Sequence, residues 1–346
     1  MKTIVYKIDE NNIDYEKLEK LALIINNKGL VAIPTETVYG LAANGLNQEA
    51  VEKIFVAKNR PMDNPLILHI SDLDQIDQLV EGLSHEDRKA LEELWPGPLT
   101  VVLKKSDIIP DGVSAGLDTV AIRLPAKKIA REFIKLCGLP LAAPSANLST
   151  KPSPTNAQDV LEDMKGRIDA IIDGGSSNIG LESTVIDISE SRPSILRPGY
   201  YTREMLSKFW PDIDYDLALK KSDEIPKSPG QKYKHYAPKA RVEVYIGEQE
   251  KFAKKLDDII KNRDNKIGLM IFEEDKNLPH ADHVIRMGSI DDLDQMANIL
   301  FSALREMDHE GMDLVVVHGV KEESFGISIM NRLKKAASGN VYELEE

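Results

Sequence analysis

One cysteine in 346 residues, Cys137, excludes a disulfide framework or a cysteine-based zinc ribbon within this chain. It lies in the apolar stretch FIKLCGLPL and reads as a core thiol rather than a nucleophile. Cations are in deficit, 44 Lys and Arg against 57 Asp and Glu, and the net charge of -13 argues against a protein whose main task is electrostatic binding of nucleic acid or an anionic membrane. Long apolar runs are missing as well. Nothing approaches the roughly 20 residues that span a bilayer, and the start, MKTIVYKIDENN, has no leader-like apolar segment. The expectation is a soluble, cytoplasmic protein with no membrane partner. Neither a Walker A pattern nor GxGxxG occurs, so any nucleotide is held by other means.

The length accommodates two domains. Leu18, Leu21, Ala22 and Ile25 repeat at helical spacing between Asp14 and Lys28, Gln48–Ala57 forms a second amphipathic segment, and Ala126–Cys137 a third. Apolar runs at 30–34, 65–70, 99–103, 139–144, 170–173 and 184–188 read as strands between them. Character changes after Trp210: residues 211–240 hold four prolines, many charges and no sustained period, which predicts a linker without packed elements. Strand and helix signals then alternate to the end, at 242–246, 250–262, 267–272, 283–286, 292–307, 314–318 and 325–337. The prediction is an α/β protein with a domain over 1–212, a linker over 213–240 and a smaller parallel α/β domain over 241–346.

Six stretches of the first 200 residues carry chemistry: VAIPTETVYG (31–40), KNR (58–60), WPGPLT (95–100), VAIRLP (120–125), APSANLSTKPSP (143–154) and EST (182–184). Each runs an apolar strand or a helix end into a turn that displays small hydroxyl, amide or cationic side chains, as binding of a small anion requires. The cations of KNR could equally complement a helix C-terminus, and PSAN could be an ordinary loop before a helix capped by Thr155 or Asn156. Arg123 and Arg197 end apolar runs beside proline, an unusual place for a surface charge. Their expected partner is a protein carboxylate or an anionic ligand, and the residues alone leave both open.

Taken in order, PTETVYGLAANG, KNRP, PLILHI, WPGPLT, IRLP, PSAN, LESTVID and LRPG resemble the YrdC-like domain over about the first 200 residues. SPGQKYKHYAP (228–238), followed by a small α/β domain, is similar to the long, two-domain form of the L-threonylcarbamoyladenylate synthase family. The resemblance implies a twisted mixed sheet with helices around a concave cationic cavity, and a smaller Rossmann-like C-terminal domain. It implies a nucleotidyltransferase that condenses L-threonine, bicarbonate and ATP to threonylcarbamoyl-AMP and pyrophosphate, with Mg²⁺ accompanying ATP and no organic cofactor. The product feeds a tRNA threonylcarbamoyl transferase that modifies tRNA next to the anticodon, and direct tRNA binding is expected to be weak or absent.

By the same resemblance Thr35, His69, Arg123, Ala143 and Ser183 match the threonine side of the site. Lys58, Arg60, Thr119, Ser145, Asn147, Ser153, Arg197, His235 and Tyr236 match the ATP side. Lys58 and Arg60 are the implied charge stabilisers, with Ser145 and Asn147 positioning the reactants; the metal ligands are unknown. His69 could instead be a core histidine. Ser228–Pro238, with two aromatics and two potential cations in an otherwise proline-rich stretch, is expected to fold as a lid over the cavity. Two rival readings stand beside this one. A carbamoyl-phosphate-dependent hydrogenase maturation protein shares the domain but carries cysteine-rich zinc fingers, which one cysteine excludes. A translation factor that binds double-stranded RNA or tRNA without ATP turnover is the alternative, opposed by the net charge.

Overall fold

The computed structural model describes residues 2–216, 236–262 and 265–344. The chain divides into two compact units, the first Met1–Ser149, Ser153–Asn178 and Glu182–Tyr233, the second Thr150–Pro152, Ile179–Leu181 and Lys234–Glu346.

Helices of the first unit form where apolar residues recur every three or four positions and a capping residue is at hand. Tyr15–Asn26 starts on Asp14, whose carboxylate accepts the Lys17 N–H at 3.1 Å, and buries Leu18, Leu21, Ala22 and Ile25. Gln48–Lys58 is capped by Asn47 and ends on Asn59 in the left-handed region. Lys128–Cys137 buries Ile129, Ala130, Phe133, Ile134 and Cys137, and stops at Gly138, whose φ of 72° a side-chain-bearing residue adopts only under strain. Burial pushes the Cys137 thiol up to about 12, in keeping with a core thiol. Asn156, not Thr155, caps the helix Ala157–Met164.

The strands of this unit build one mixed sheet. Its spatial order is Ile4–Lys7, Ala170–Asp173, Val31–Ile33, Gly40–Asn44, Leu141–Ala142, Ile67–His69, Thr119–Arg123, Leu99–Lys105, Thr184–Asp187, Ser194–Arg197 and Asp214–Tyr215. The last strand corrects one expectation. Residues 214–215 fall in the stretch predicted to lack packed elements, yet they pair in parallel with Ser194 and Ile195. Ile213 joins the core and Tyr215 packs against it, an apolar anchor too short for periodicity to register.

The second unit is a sheet of parallel strands, in order His283–Arg286, Ile267–Ile271, Leu314–Gly319, Arg241–Ile246 and Val341–Glu343, joined through the helices Gln249–Lys261, Leu293–His309 and Gly326–Ala336. Its central strands are apolar on both faces, as a parallel sheet covered by helices requires. Among the described residues no helix is long and apolar enough to cross a membrane.

A buried His–Asp pair is set among the apolar side chains of this unit. His318 is fully buried, directs Nδ1 at the Asp275 carboxylate (2.8 Å) and Nε2 at the Gly247 carbonyl (3.0 Å), and stacks on Phe252 with centroids 4.2 Å apart. Asp275 in turn accepts the Phe272 N–H at 2.8 Å. Removing the imidazole strands a buried carboxylate oxygen and costs about 2 kcal/mol or more. His318→Ala should therefore speed amide exchange in the strands Ile267–Ile271 and Leu314–Gly319 by roughly 30-fold, with the first unit's sheet unaffected. Unchanged protection in those two strands would show that the pair does not hold this unit together.

Candidate active site

Strand alternation creates the site. In Thr119–Arg123, Val120 and Ile122 enter the main core, so Ala121 and Arg123 point to the opposite face. Leu68 enters the core, leaving Ile67 and His69 opposite; Val101 and Leu103 enter it, leaving Thr100 and Val102 opposite. On that opposite face Ile67, Val102, Ala121 and Val185 form a small separate apolar cluster with Leu196. Next to it the register aligns His69 with Arg123 and Arg123 with Thr100. A polar row thus sits on an apolar floor in the middle of the sheet.

Arg123 is only 4% exposed and has a protein carboxylate for its partner. Nη2 donates to Glu36 Oε1 at 2.6 Å, Nη1 to Thr37 Oγ1 at 2.8 Å, and Nε points at the Gly97 carbonyl, 3.4 Å away, in the turn after the cis Trp95–Pro96 peptide. These contacts use one donor on each nitrogen, and the guanidinium has five. Thr35 Oγ1 donates to the Val38 carbonyl at 2.6 Å and lies 2.9 Å from Thr37 Oγ1, which binds the turn between Val31–Ile33 and Gly40–Asn44 into the same network. Glu36 is buried, and its Oε2 has no hydrogen-bond partner among the described residues.

On the other side of Thr100, the Ser183 hydroxyl lies 2.7 Å from Thr100 Oγ1 and accepts from Arg197 Nη2 at 3.0 Å, while Arg197 Nε donates to the Ser183 carbonyl at 3.0 Å. The turn after Arg197 reaches this backbone at Gly199, where a Cβ would strike the Thr184 amide nitrogen. Only glycine permits that approach. Ser153 is buried and donates to Glu182 Oε1 at 2.6 Å, one residue before Ser183.

Lys58 forms a second cluster. The cation does not complement its own helix end: it is 2% exposed, and Nζ donates to the carbonyls of Ser145 and Asn147 (2.7 Å to the latter) and lies 3.4 Å from Asn147 Oδ1. Ser145 Oγ donates to Asn147 Oδ1 at 2.6 Å. The loop is fastened to the sheet by an isolated bridge from Ser145 to Gly40 and by the Ala143 N–H donating to the Ile67 carbonyl at 3.0 Å. Arg60 donates to the carbonyls of Asn64 (2.9 Å) and Pro65 (3.2 Å) and lies over the Phe55 ring.

His69 is neutral. Burial first, and the Arg123 charge second, bring its pKa down to about 3, while its Nδ1 lies 3.3 Å from the Ile67 carbonyl. An imidazole in this state offers a hydrogen bond but no charge.

The structure therefore brings Thr35, Arg123, His69, Ser183 and Arg197 into one network or row, and Lys58, Ser145 and Asn147 into another. Thr119 shares the face of Arg123 but stands four residues away along the strand, about 13 Å. Tyr236 is buried, has a φ of 63° and packs on Phe301 within the second unit, ring centroids 5.0 Å apart. His235 lies outside the described residues, as does the expected lid before Tyr236.

Sequence reasoning missed Glu36, Thr37, Thr100, Glu182 and Asn64. Asn64 is fully buried, and neither atom of its side-chain amide has a hydrogen-bond partner among the described residues. Such an amide costs about 1–3 kcal/mol per unmet group unless a ligand supplies the partner. An Asn before Pro reads as a turn residue, so only burial reveals it. Glu36, between two apolar runs, was the one legible signal: a carboxylate so placed requires a cation.

Comparison with known proteins identifies the family. Residues 23–199 match the Sua5–YciO–YrdC family, described as Telomere recombination, and residues 201–338 match the C-terminal domain of threonylcarbamoyl-AMP synthase. Threonylcarbamoyl-AMP synthase of Pyrococcus abyssi is 44% identical over 99% of this chain and 100% of its own length, and that of Bacillus subtilis 41% identical over 96% of each. The crystal structure of P. abyssi Sua5 complexed with L-threonine superposes with a TM-score of 0.93 at 42% identity, covering 99% of this chain and 100% of the other. By sequence and by fold alike, this chain belongs to the Sua5–YciO–YrdC family, in the two-domain form that carries the threonylcarbamoyl-AMP synthase C-terminal domain.

Proposed function

We propose that this protein is a nucleotidyltransferase that converts L-threonine, bicarbonate and ATP to threonylcarbamoyl-AMP and pyrophosphate, and passes the product to a tRNA threonylcarbamoyl transferase. The observation that carries the reading is the end-to-end match to threonylcarbamoyl-AMP synthases, across both units. The site chemistry supports it. Arg123 retains donors for a carboxylate, and Thr35 and Ser183 bring hydroxyls for the threonine side chain. Lys58, Arg60 and Arg197 provide dispersed positive charge for a triphosphate in place of a P-loop. The buried, unmet amide of Asn64 adds a donor and an acceptor that this reading gives to the nucleotide.

No side-chain nucleophile is needed. The threonine amine adds to carbon dioxide derived from bicarbonate and releases a proton. An oxygen of the resulting carbamate attacks the α-phosphorus, and the bond to the β-phosphate oxygen breaks as pyrophosphate leaves. The protein aligns two anions and offsets their repulsion. Lys58 fixes the Ser145–Asn147 loop through its hydrogen bonds and adds its charge through space, which is strong where water is excluded. Mg²⁺ would accompany the triphosphate and supply charge neutralisation as pyrophosphate leaves. Among the described residues no group of three His, Cys, Asp or Glu could hold it, and Mg²⁺ is commonly bound by phosphates, water and one or two carboxylates. RNA binding as the main function is not favoured, because Lys58, Arg123 and Arg197 are buried where a polyanionic backbone cannot reach.

The decisive test follows pyrophosphate and the labile adenylate by mass spectrometry. Both should form only when ATP, threonine and bicarbonate are present together; pyrophosphate release at the same rate without threonine would overturn the reading.

Two substitutions separate the halves of the site. Arg123→Lys keeps the charge but loses the planar fork, and should weaken threonine binding about tenfold or more in a calorimetric titration. Lys58→Ala should lower turnover about a hundredfold with threonine affinity changed by no more than about threefold. Equal threonine affinity in the Arg123 variant would remove that residue from the threonine site.

A further inference from the structure

The proposed function leaves the amino group of threonine without a partner. Glu36 is half used in the structure: the carboxylate is buried, Oε1 is held by Arg123 at 2.6 Å, and Oε2 is buried without a hydrogen-bond partner among the described residues. A purely structural Arg–Glu pair gains most by meeting both oxygens with both terminal nitrogens. Here Arg123 turns its other nitrogen to Thr37 instead, at 2.8 Å, and Oε2 remains unmet. An unmet buried carboxylate oxygen is costly, and a donor arriving with a ligand removes that cost.

We infer that Glu36 Oε2 receives the α-ammonium group of the amino-acid substrate, making Glu36 the residue that selects for a free amine; this rests on the threonine reading above. Three observations converge on it. Glu36 lies between Thr35 and Thr37 and against Arg123, so acceptor and cation are adjacent, as are ammonium and carboxylate on one substrate carbon. Charge balances too. Arg123 with Glu36 sums to zero, and a zwitterion adds zero, whereas a carboxylate entering alone would leave two buried anions against one guanidinium. Competing groups are committed elsewhere: the Tyr201 hydroxyl donates to the Leu94 carbonyl at 3.2 Å, Glu182 accepts from Ser153, and His69 is neutral and close to the Arg123 charge.

The test compares L-threonine with 3-hydroxybutanoate, which keeps the carboxylate and hydroxyl and lacks the amine. Wild type and Glu36→Gln are assayed by equilibrium dialysis with labelled threonine and by competition with 3-hydroxybutanoate. The glutamine retains an oxygen for Arg123 and removes the anion. Threonine affinity should fall about tenfold or more, while 3-hydroxybutanoate competes as well as before or better, so that preference for the amine collapses. A proportional loss of both ligands, or unchanged threonine affinity, overturns the inference, since Glu36 would then only position Arg123 or do nothing for the ligand. If Glu36→Gln does not fold, Glu36→Asp serves: it keeps the charge, withdraws the carboxylate by one methylene, and should lose threonine selectively. Wild-type protein that binds no threonine defeats the function reading itself, an outcome distinct from these.

Discussion

A guanidinium in the middle of a sheet must be desolvated, at several kcal/mol, and everything around Arg123 is arranged to offset that cost. The Glu36 carboxylate lies 2.6 Å away, the Thr37 hydroxyl 2.8 Å, and the Gly97 carbonyl faces Nε. The partners come from two segments, Glu36 and Thr37 from the turn after Val31–Ile33 and Gly97 from the turn before Leu99–Lys105, so the guanidinium ties both turns to one strand end. Removing either charge would leave the other buried and unpaired, a loss of about 3–5 kcal/mol. The same constraint sets the chemistry, because the guanidinium N–H groups not used by these partners are the ones that a ligand carboxylate can take.

Positive charge is distributed rather than concentrated. A P-loop gathers backbone N–H groups at one helix N-terminus; here Lys58 comes from a helix C-terminus, Arg60 from the loop beyond it, Arg123 from one strand end and Arg197 from another. Each cation is fixed by carbonyls, hydroxyls or a carboxylate of the protein, so little reorganisation is needed when anions enter. Lys58 shows the arrangement most clearly: the hydrogen bonds that orient its ammonium also hold the Ser145–Asn147 loop in place. Preorganisation of this kind suits the proposed reaction, which must bring a carbamate and a triphosphate together with no covalent intermediate on the protein.

What could be read from the sequence follows from how local the cause is. The alternation in VAIRLP already sends Val120 and Ile122 one way and Arg123 the other, and the parallel strands of the second unit are plain apolar runs. That Glu36 needs a cation is legible, but that the cation is Arg123, 87 residues distant, is not, because only the fold brings the turn and the strand end together. Edge strands were missed for the opposite reason. Ile4–Lys7 and Val341–Glu343 are short and half exposed, so they carry too little apolar signal. Lys58 looked like a capping charge by position, and only its burial shows that it serves the loop at 145–147.

Unmet buried groups on a fixed cationic framework await completion by the substrates. A crystal structure of the protein with L-threonine and a non-hydrolysable ATP analogue tests this most directly. The Arg123–Glu36 pair should persist while the Asn64 amide and Glu36 Oε2 each gain a ligand atom within about 3.2 Å. Both ligands bound with those groups still unpartnered, or with Arg123 swung away from Glu36, would contradict it.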